Sequence, residues 1–311
     1  MVKYSGELLK TYGDRFFQWE TCPHALRIRS EGRVINKSHV KQQRLFWDRF
    51  IATSTIAQKP VSEINRGDVI DFRQNLMVEI PEKYNTINKV VGALKVILSE
   101  AEYREDIPYN PASRVGAIKY KKKDVKILSI EETKVYVRQV TPMLQFTALT
   151  GMRIGEVSVL HHDQIDGRVL TIDRARAGWN ADPELKLPKW DKVRTIIIPE
   201  CITIPEGDGL VFGRTVAYPS VRHHHLKAKS GTTVHGLRHS LHTNLLSAGV
   251  NPALLMAWFG WSPEMGKMQV NYYHPTVDQL REVSRAIDSL YGDAASTVSV
   301  YRSKQDQSVA V

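Results

Sequence analysis

The sequence predicts a mostly α-helical protein with a small antiparallel β-sheet, folded as two domains. Apolar residues recur at helical spacing in both the first third and the last third of the chain. Two short β-branched runs lie between them, and a lysine-rich break separates the first third from the rest. A length of 311 residues also exceeds what one domain usually holds.

Taken in order, residues 1 to 35 are mixed, with Phe16, Phe17 and Trp19 followed by the basic stretch from Arg27 to Arg33. A helix is predicted from Ser38, where Val40, Phe46, Trp47 and Phe50 recur at helix-like spacing. A second covers Arg66 to Met77 through Val69, Ile70, Phe72 and Leu76. The third runs from Asn85, read as its N-cap, to Glu102, with Ile87, Val90, Val91, Leu94, Ile97, Leu98 and Ala101 on one face. Pro108 and Pro111 end this pattern. Lys119, Lys121, Lys122, Lys123 and Lys126 then crowd into eight residues, which reads either as a solvated linker or as one that lies along phosphates.

The next domain opens at Ser129, with Glu131 and Glu132 in the first turn of a helix. Another helix spans Pro142 to Leu149 and stops at Thr150-Gly151. Val169 to Asp173 and Val193 to Ile198 read as strands, and Ala177 to Lys192 as an irregular β-excursion between them. From Val234 the pattern is helical again, through Leu245 and Leu255 to Trp258.

Composition narrows the function. There are 43 Lys and Arg against 33 Asp and Glu, a net charge of +10 that favours a polyanionic partner. No apolar run reaches membrane-spanning length, and the first residues lack the form of a secretory signal, so a cytoplasmic protein is expected. Cys22 and Cys201 have no partners at metal-ligand spacing. His223-His224-His225 cannot converge on one ion from a regular helix or strand, and is read as a basic stretch, solvated or facing DNA. Neither a Walker-type phosphate loop nor a cluster of carboxylates for a two-metal nuclease is present. No metal and no cofactor are expected.

Four segments carry chemistry. In Leu149-Thr150-Gly151-Met152-Arg153-Ile154-Gly155-Glu156, an arginine at a helix start projects toward a ligand or pairs with Glu156 on the surface. In His235-Gly236-Leu237-Arg238-His239, His235 and Arg238 share one helix face, suited to a phosphate or simply exposed. Gly260-Trp261-Ser262 precedes Asn271-Tyr272-Tyr273-His274-Pro275, where a tyrosine either packs or acts as a nucleophile toward phosphorus. The loop Leu187-Pro188-Lys189-Trp190-Asp191-Lys192-Val193-Arg194-Thr195 offers a lysine that either protonates a leaving oxygen or is solvated.

Taken in this order, the four segments resemble the catalytic domain of tyrosine recombinases, the phage-integrase family, over about residues 129 to 290. The resemblance implies a helical SAM-like core-binding domain at 1–113, a basic linker at 114–127, a catalytic domain at 128–293 and a flexible tail at 294–311. It implies that Arg153 and Arg238 clamp the scissile phosphate, that Lys189 protonates the 5′-hydroxyl leaving group, and that His235 assists proton transfer. Trp261 stands where most members have a second histidine and some have tryptophan. The indole keeps a hydrogen-bond donor but cannot titrate, which suits orientation of the phosphate rather than acid-base work. The resemblance further implies that Glu156 and His239 support the site and that Tyr272 is the nucleophile, with Tyr273 as second choice.

A member of this family is expected to cut and rejoin DNA through a 3′-phosphotyrosyl ester, without metal or ATP. Its partners would be double-stranded DNA attachment sites, three further copies of itself in a homotetramer on two duplexes, and accessory DNA-bending or directionality factors. It would be bacterial or phage-encoded and nucleoid-associated. The lysines of the linker would contact phosphates. Val277, Leu280, Val283, Ile287 and Leu290, at helical spacing after Pro275, either dock on a neighbouring copy or pack on their own domain. Competing readings are a non-catalytic DNA-binding protein of the same fold, a type IB topoisomerase or telomere resolvase, and a metal-dependent nuclease using the histidine cluster.

Overall fold

The computed structural model describes residues 4–121, 124–177, 184–189, 192–213, 218–261 and 274–294. The chain forms two compact units, 1–123 and 124–311.

The first unit is helical: α1 (Leu9–Asp14), α2 (Pro23–Ser30), α3 (Lys37–Phe46), α4 (Arg66–Glu79) and α5 (Tyr84–Tyr103). α3 runs on into a wide turn at Trp47–Ile51, which buries Trp47, Phe50 and Ile51. The indole Nε1 of Trp47 donates to Asp14 Oδ1 at 3.0 Å, which ties this turn to α1. The 20-residue α5 is the centre of the unit, and all seven apolar residues that predict it are buried. Its start differs from the sequence expectation. Lys83 is the N-cap residue and Asn85 lies inside the first turn, because the chain enters the helix through a left-handed turn at Glu82 (φ 61°). A capping side chain is therefore not what begins this helix.

The segment after α5 is strapped back onto it. Asn88 pairs with the backbone of Ile118 in both directions, at 2.8 and 3.0 Å, and Arg73 donates to the Gly116 carbonyl at 2.8 Å. Residues read from sequence as the start of the linker thus belong to the helical unit as far as Ile118. Beyond the break, the chain is already anchored in the second unit. Thr232 Oγ1 donates to the Lys126 carbonyl at 2.6 Å, and the Leu128 amide donates to Ser240 Oγ at 2.9 Å. Lys122 and Lys123 lie outside the described residues, as do the tail residues beyond Ala294.

The second unit places α6 (Ile130–Gln139), α7 (Pro142–Thr150) and the single-turn α8 (Ile154–Val157) ahead of its strands. α6 begins with the capping box expected at Ser129: its hydroxyl accepts from the Glu132 amide at 3.1 Å, and Glu132 accepts from the Ser129 amide at 2.9 Å. β1 (Ile165–Asp166), β2 (Val169–Ile172) and β5 (Arg194–Ile197) form an antiparallel sheet in the order β1-β2-β5, with Ile172 opposite Arg194. β3 (Ala175–Ala177) and β4 (Glu184–Lys186) form a separate antiparallel pair. α9 (Tyr218–Lys227), α10 (Val234–Ser247), α11 (Pro252–Phe259) and α12 (Val277–Tyr291) follow.

The helix after Pro275 turns its apolar stripe inward. Leu280, Val283, Ile287 and Tyr291 of α12 are buried in the core of their own unit. The Asp288 carboxylate accepts from the amides of Glu200 and Cys201 at 3.0 and 2.8 Å, and Asn244 Nδ2 donates to the Tyr291 hydroxyl at 2.9 Å. Of the stripe read from sequence, Leu280, Val283 and Ile287 pack on their own unit, Leu290 is half-buried against it, and Val277 is exposed.

The histidine triplet also differs from expectation. His223 and His224 are exposed, but His225 is buried rather than solvated. Its Nε2 donates to the Thr232 carbonyl at 3.0 Å, which leaves Nδ1 to accept from the Tyr136 hydroxyl at 2.8 Å. Both nitrogens are used in joining α6, α9 and the turn before α10. His225→Ala should therefore destabilise the second unit by about 2–4 kcal/mol. His223→Ala and His224→Ala should each change it by less than about 0.5 kcal/mol. Urea unfolding of the three variants measures the contrast.

Candidate active site

The site begins where two helices end. α7 stops at Gly151 and α11 at Gly260, both in the left-handed region (φ 68° and 58°) that a side chain disfavours. Space demands glycine too: a Cβ at Gly151 would strike the Phe259 ring, and one at Gly260 would lie 2.8 Å from Arg194 Cδ. The last turn of each helix points carbonyl oxygens toward one spot, and the negative end of the helix dipole with them.

Arg238 of α10 fills that spot. It is 1% exposed, with Nη1 donating to the Gly151 carbonyl at 2.6 Å and Nη2 donating to the Phe259 carbonyl. Its Nε is buried and has no partner among the described residues. Burial, followed by the charges of Arg194 and Arg153, drives its pKa well below the ordinary arginine value. The two carbonyl ends hold the guanidinium in place without neutralising it, so its charge stays available to an anion.

Arg153 lies two residues beyond Gly151, as the N-cap of α8. Its amide donates to Glu156 Oε2 at 2.9 Å and its Nη1 to Glu156 Oε1 at 2.9 Å. One of the two sequence readings makes this pair a surface contact. Instead Glu156 is buried, and its main partner is a residue that sequence reasoning did not single out for the site. Arg194 of β5 grips it with both nitrogens, Nη1 to Oε1 at 3.0 Å and Nη2 to Oε2 at 2.7 Å. Arg194 Nε donates to the Trp258 carbonyl at 3.0 Å, which joins the sheet to the end of α11. Burial works against ionisation of Glu156. The hydrogen bonds and charge of Arg194, then Arg153, outweigh it and hold the carboxyl at about 2. Two guanidinium groups thus share one carboxylate, and with Arg238 nearby the cluster keeps a positive charge.

α10 carries more than the expected pair. His235, Arg238, His239 and His242 fall at i, i+3, i+4 and i+7, on one helix face. The His235 and His239 rings meet edge to face at 4.9 Å. His235 keeps a solvent-exposed edge, yet desolvation, then the charges of His239, Arg238, Arg153 and Lys189, lower its pKa from 6.5 to about 4. That places the Lys189 charge within electrostatic reach of His235. Lys189 itself is exposed, on the loop after β4. Trp261 follows Gly260 and packs beside Arg238, whose guanidinium carbon is 5.5 Å from the indole centroid.

Arg153, Glu156, Lys189, His235, Arg238, His239 and Trp261 are therefore gathered around the Gly151 and Gly260 turns. Tyr272 and Tyr273 lie outside the described residues. Among the linker lysines, Lys119, Lys121 and Lys126 are exposed, and Lys126 pairs with Glu132 at 2.7 Å. The missed residues were Arg194 and His242. His242 was visible as the next step of the helical period after His239. Arg194 was visible only as a charged residue opening a β-branched strand. No group of three or more His, Cys, Asp or Glu among the described residues is placed to hold a metal ion.

This architecture matches solved structures of DNA integrases. The Tn1549 transposon integrase in complex with a circular intermediate DNA aligns with a TM-score of 0.62 at 21% identity, over 85% of this chain and 98% of that one. The lambda integrase tetramer bound to a Holliday junction aligns with a TM-score of 0.64 at 14% identity, over 85% of this chain and 77% of that one. A lambda integrase dimer bound to a COC′ core site gives 0.62 at 13% identity, over 87% and 99%. No protein-family profile and no curated protein matches the sequence. The chain has the fold of the tyrosine-recombinase integrases.

The Glu156 network has a pH signature. Its folded pKa of about 2 lies below the usual 4.5, so its stabilising contribution is complete above pH 4.5 and is lost as pH falls through about 2. Glu156→Gln should cost about 3 kcal/mol at pH 7, because the buried Arg194 and the half-buried Arg153 lose their counter-ion. The gap between wild type and variant should shrink across that acid window, as read by urea unfolding at stepped pH.

Proposed function

We propose that the chain is a site-specific DNA recombinase that cleaves and rejoins strands through a 3′-phosphotyrosyl intermediate, acting in the integration or excision of a mobile element or prophage. One observation carries this reading. Arg238, buried and fixed by two helix-terminal carbonyls, is brought beside Arg153, His235 and Trp261, in the fold of integrases bound to DNA.

In this reading Arg153 and Arg238 bind the non-bridging oxygens of the scissile phosphate, where fixed cations gain most as charge builds in the transition state. Arg194 matters at this step. It keeps Glu156 compensated when Arg153 turns its donors to the phosphate, so the buried carboxylate is never left alone. Tyr272 attacks phosphorus, the new Tyr–O–P bond forms as the P–O5′ bond breaks, and Lys189 supplies the proton to the departing 5′-oxygen. The tyrosine proton leaves through His235, which is neutral near pH 7 and so able to accept it. Trp261 orients the phosphate. Attack by another strand's 5′-hydroxyl reverses each step and seals the junction. The substrate is a pair of duplex attachment sites held by four copies of the chain, with Lys119, Lys121, Lys122, Lys123 and Lys126 contributing salt-sensitive phosphate contacts. Accessory bending or directionality factors set the direction, and the site of action is the bacterial nucleoid.

Covalent trapping on a nicked duplex that carries the attachment site, with chelator present, tests the reading. Wild type should give an adduct on a denaturing gel that Tyr272→Phe abolishes and Tyr273→Phe retains. Loss in Tyr273→Phe alone would move the nucleophile by one residue. Salt-sensitive binding with no adduct would favour the non-catalytic alternative. A second expectation follows from the charges around His235. An anion seated among these cations offsets the positive charges that help depress its pKa, so DNA binding should raise it from about 4. Histidine ring signals followed by NMR with and without a duplex should show this, and an unchanged pKa would place the phosphate elsewhere.

A further inference from the structure

Trp261 is enclosed by rings. Phe259 stacks on it at 5.2 Å with 28° between planes, His242 lies 4.5 Å away at 51°, and His239 lies 6.0 Å away at 35°. His242 makes the shortest of these contacts and also meets Phe259 edge to face at 5.4 Å. It therefore touches both aromatic residues that flank the Gly260 turn, while the Arg238 guanidinium lies over the same two rings at 5.0 and 5.5 Å.

This contact has a mechanical meaning. Trp261 follows a left-handed glycine and holds only one backbone hydrogen bond among the described residues, from its amide to the Met256 carbonyl at 3.0 Å. Its backbone leaves the indole free to swing about its side-chain torsions. Phe259 precedes the same turn and shifts with it. His242 instead belongs to the rigid 14-residue α10, one turn beyond Arg238, so it references the indole to the helix that carries the guanidinium. Burial, then the charges of His239 and Arg238, lower its pKa, so the ring is neutral near pH 7 and adds no further charge beside Arg238.

We infer that His242 is a positioning residue: its imidazole packs the Trp261 indole against Phe259 and fixes the indole relative to Arg238, so that both meet the same phosphate. The inference rests on the recombinase reading for its effect on rate, but its structural core can be tested without DNA.

Two readouts separate the two. In the DNA-free protein, the Trp261 indole N–H cross-peak, identified by its loss in Trp261→Phe, should shift and broaden in His242→Ala. It should return close to its wild-type position in His242→Phe, which restores a ring without a titratable nitrogen. In single-turnover cleavage at saturating duplex, His242→Ala should slow adduct formation by roughly ten- to a hundredfold, the scale of a misplaced reacting group. DNA affinity should change little, and His242→Phe should recover most of the rate. An indole signal that does not respond to His242→Ala overturns the inference, whatever the rate does. A rate loss equal in His242→Ala and His242→Phe overturns it too, since the nitrogen rather than the packing would then matter. If wild type forms no adduct while the indole signal responds as expected, the recombinase reading fails and the positioning contact stands.

Discussion

The second unit depends on a guanidinium that has no carboxylate bonded to it among the described residues. Arg238 is almost wholly buried, and its two bonds among the described residues run to the carbonyl ends of α7 and α11. Removing an arginine from water costs several kcal/mol unless its donors are satisfied. Two helix ends satisfy its Nη1 and Nη2 at the cost of fixing where both helices must stop. The glycines at 151 and 260 follow from this requirement, since each lets a helix terminate abruptly beside a large side chain. Phe259 and Trp261 then fall on either side of the second turn, and their rings line the guanidinium.

Glu156 solves a different problem. The arginines that gather here repel one another, and burial first, then the neighbouring positive charges, pull down the pKa values of Arg238 and His235. A single buried carboxylate held by Arg194 and Arg153 relieves part of that repulsion without approaching Arg238 through a hydrogen bond. Arg194 also bonds the Trp258 carbonyl, so the strand, α8 and the end of α11 meet at one ion pair. The division of labour is clear in the partners. Arg194 is tied to protein on all three donor nitrogens, whereas Arg153 has a single side-chain bond among those described.

Much of this was legible in the sequence where the signal is local. The periodicity of Ile87 to Ala101, the capping box at Ser129 and the shared face of His235 and Arg238 depend on neighbours within a turn or two of helix. The gathering of Arg153, Lys189 and Arg238 was legible only because their order resembles a known family, as spacing alone does not bring distant segments together. What stayed hidden depends on tertiary partners. Nothing near Arg194 in sequence announces that it will bond Glu156, and nothing near His225 announces a buried tyrosine hydroxyl from α6. Asn85 misled because a good capping residue sits one turn from a left-handed entry that needs no cap. The lysine-rich break looked like one linker, but its two sides are tied by backbone hydrogen bonds to different units.

The partners of Arg238 come from segments far apart in the chain, one near residue 151 and one near residue 259. Neither carbonyl is in place until α7, α10 and α11 have docked, and docking buries Trp258 and Phe259 in the same event. A chain still emerging from the ribosome, or one partly unravelled by heat, therefore has the arginine but nowhere to hold it. The charged centre built on Arg238 exists only in the finished domain, once all three helices have closed around it.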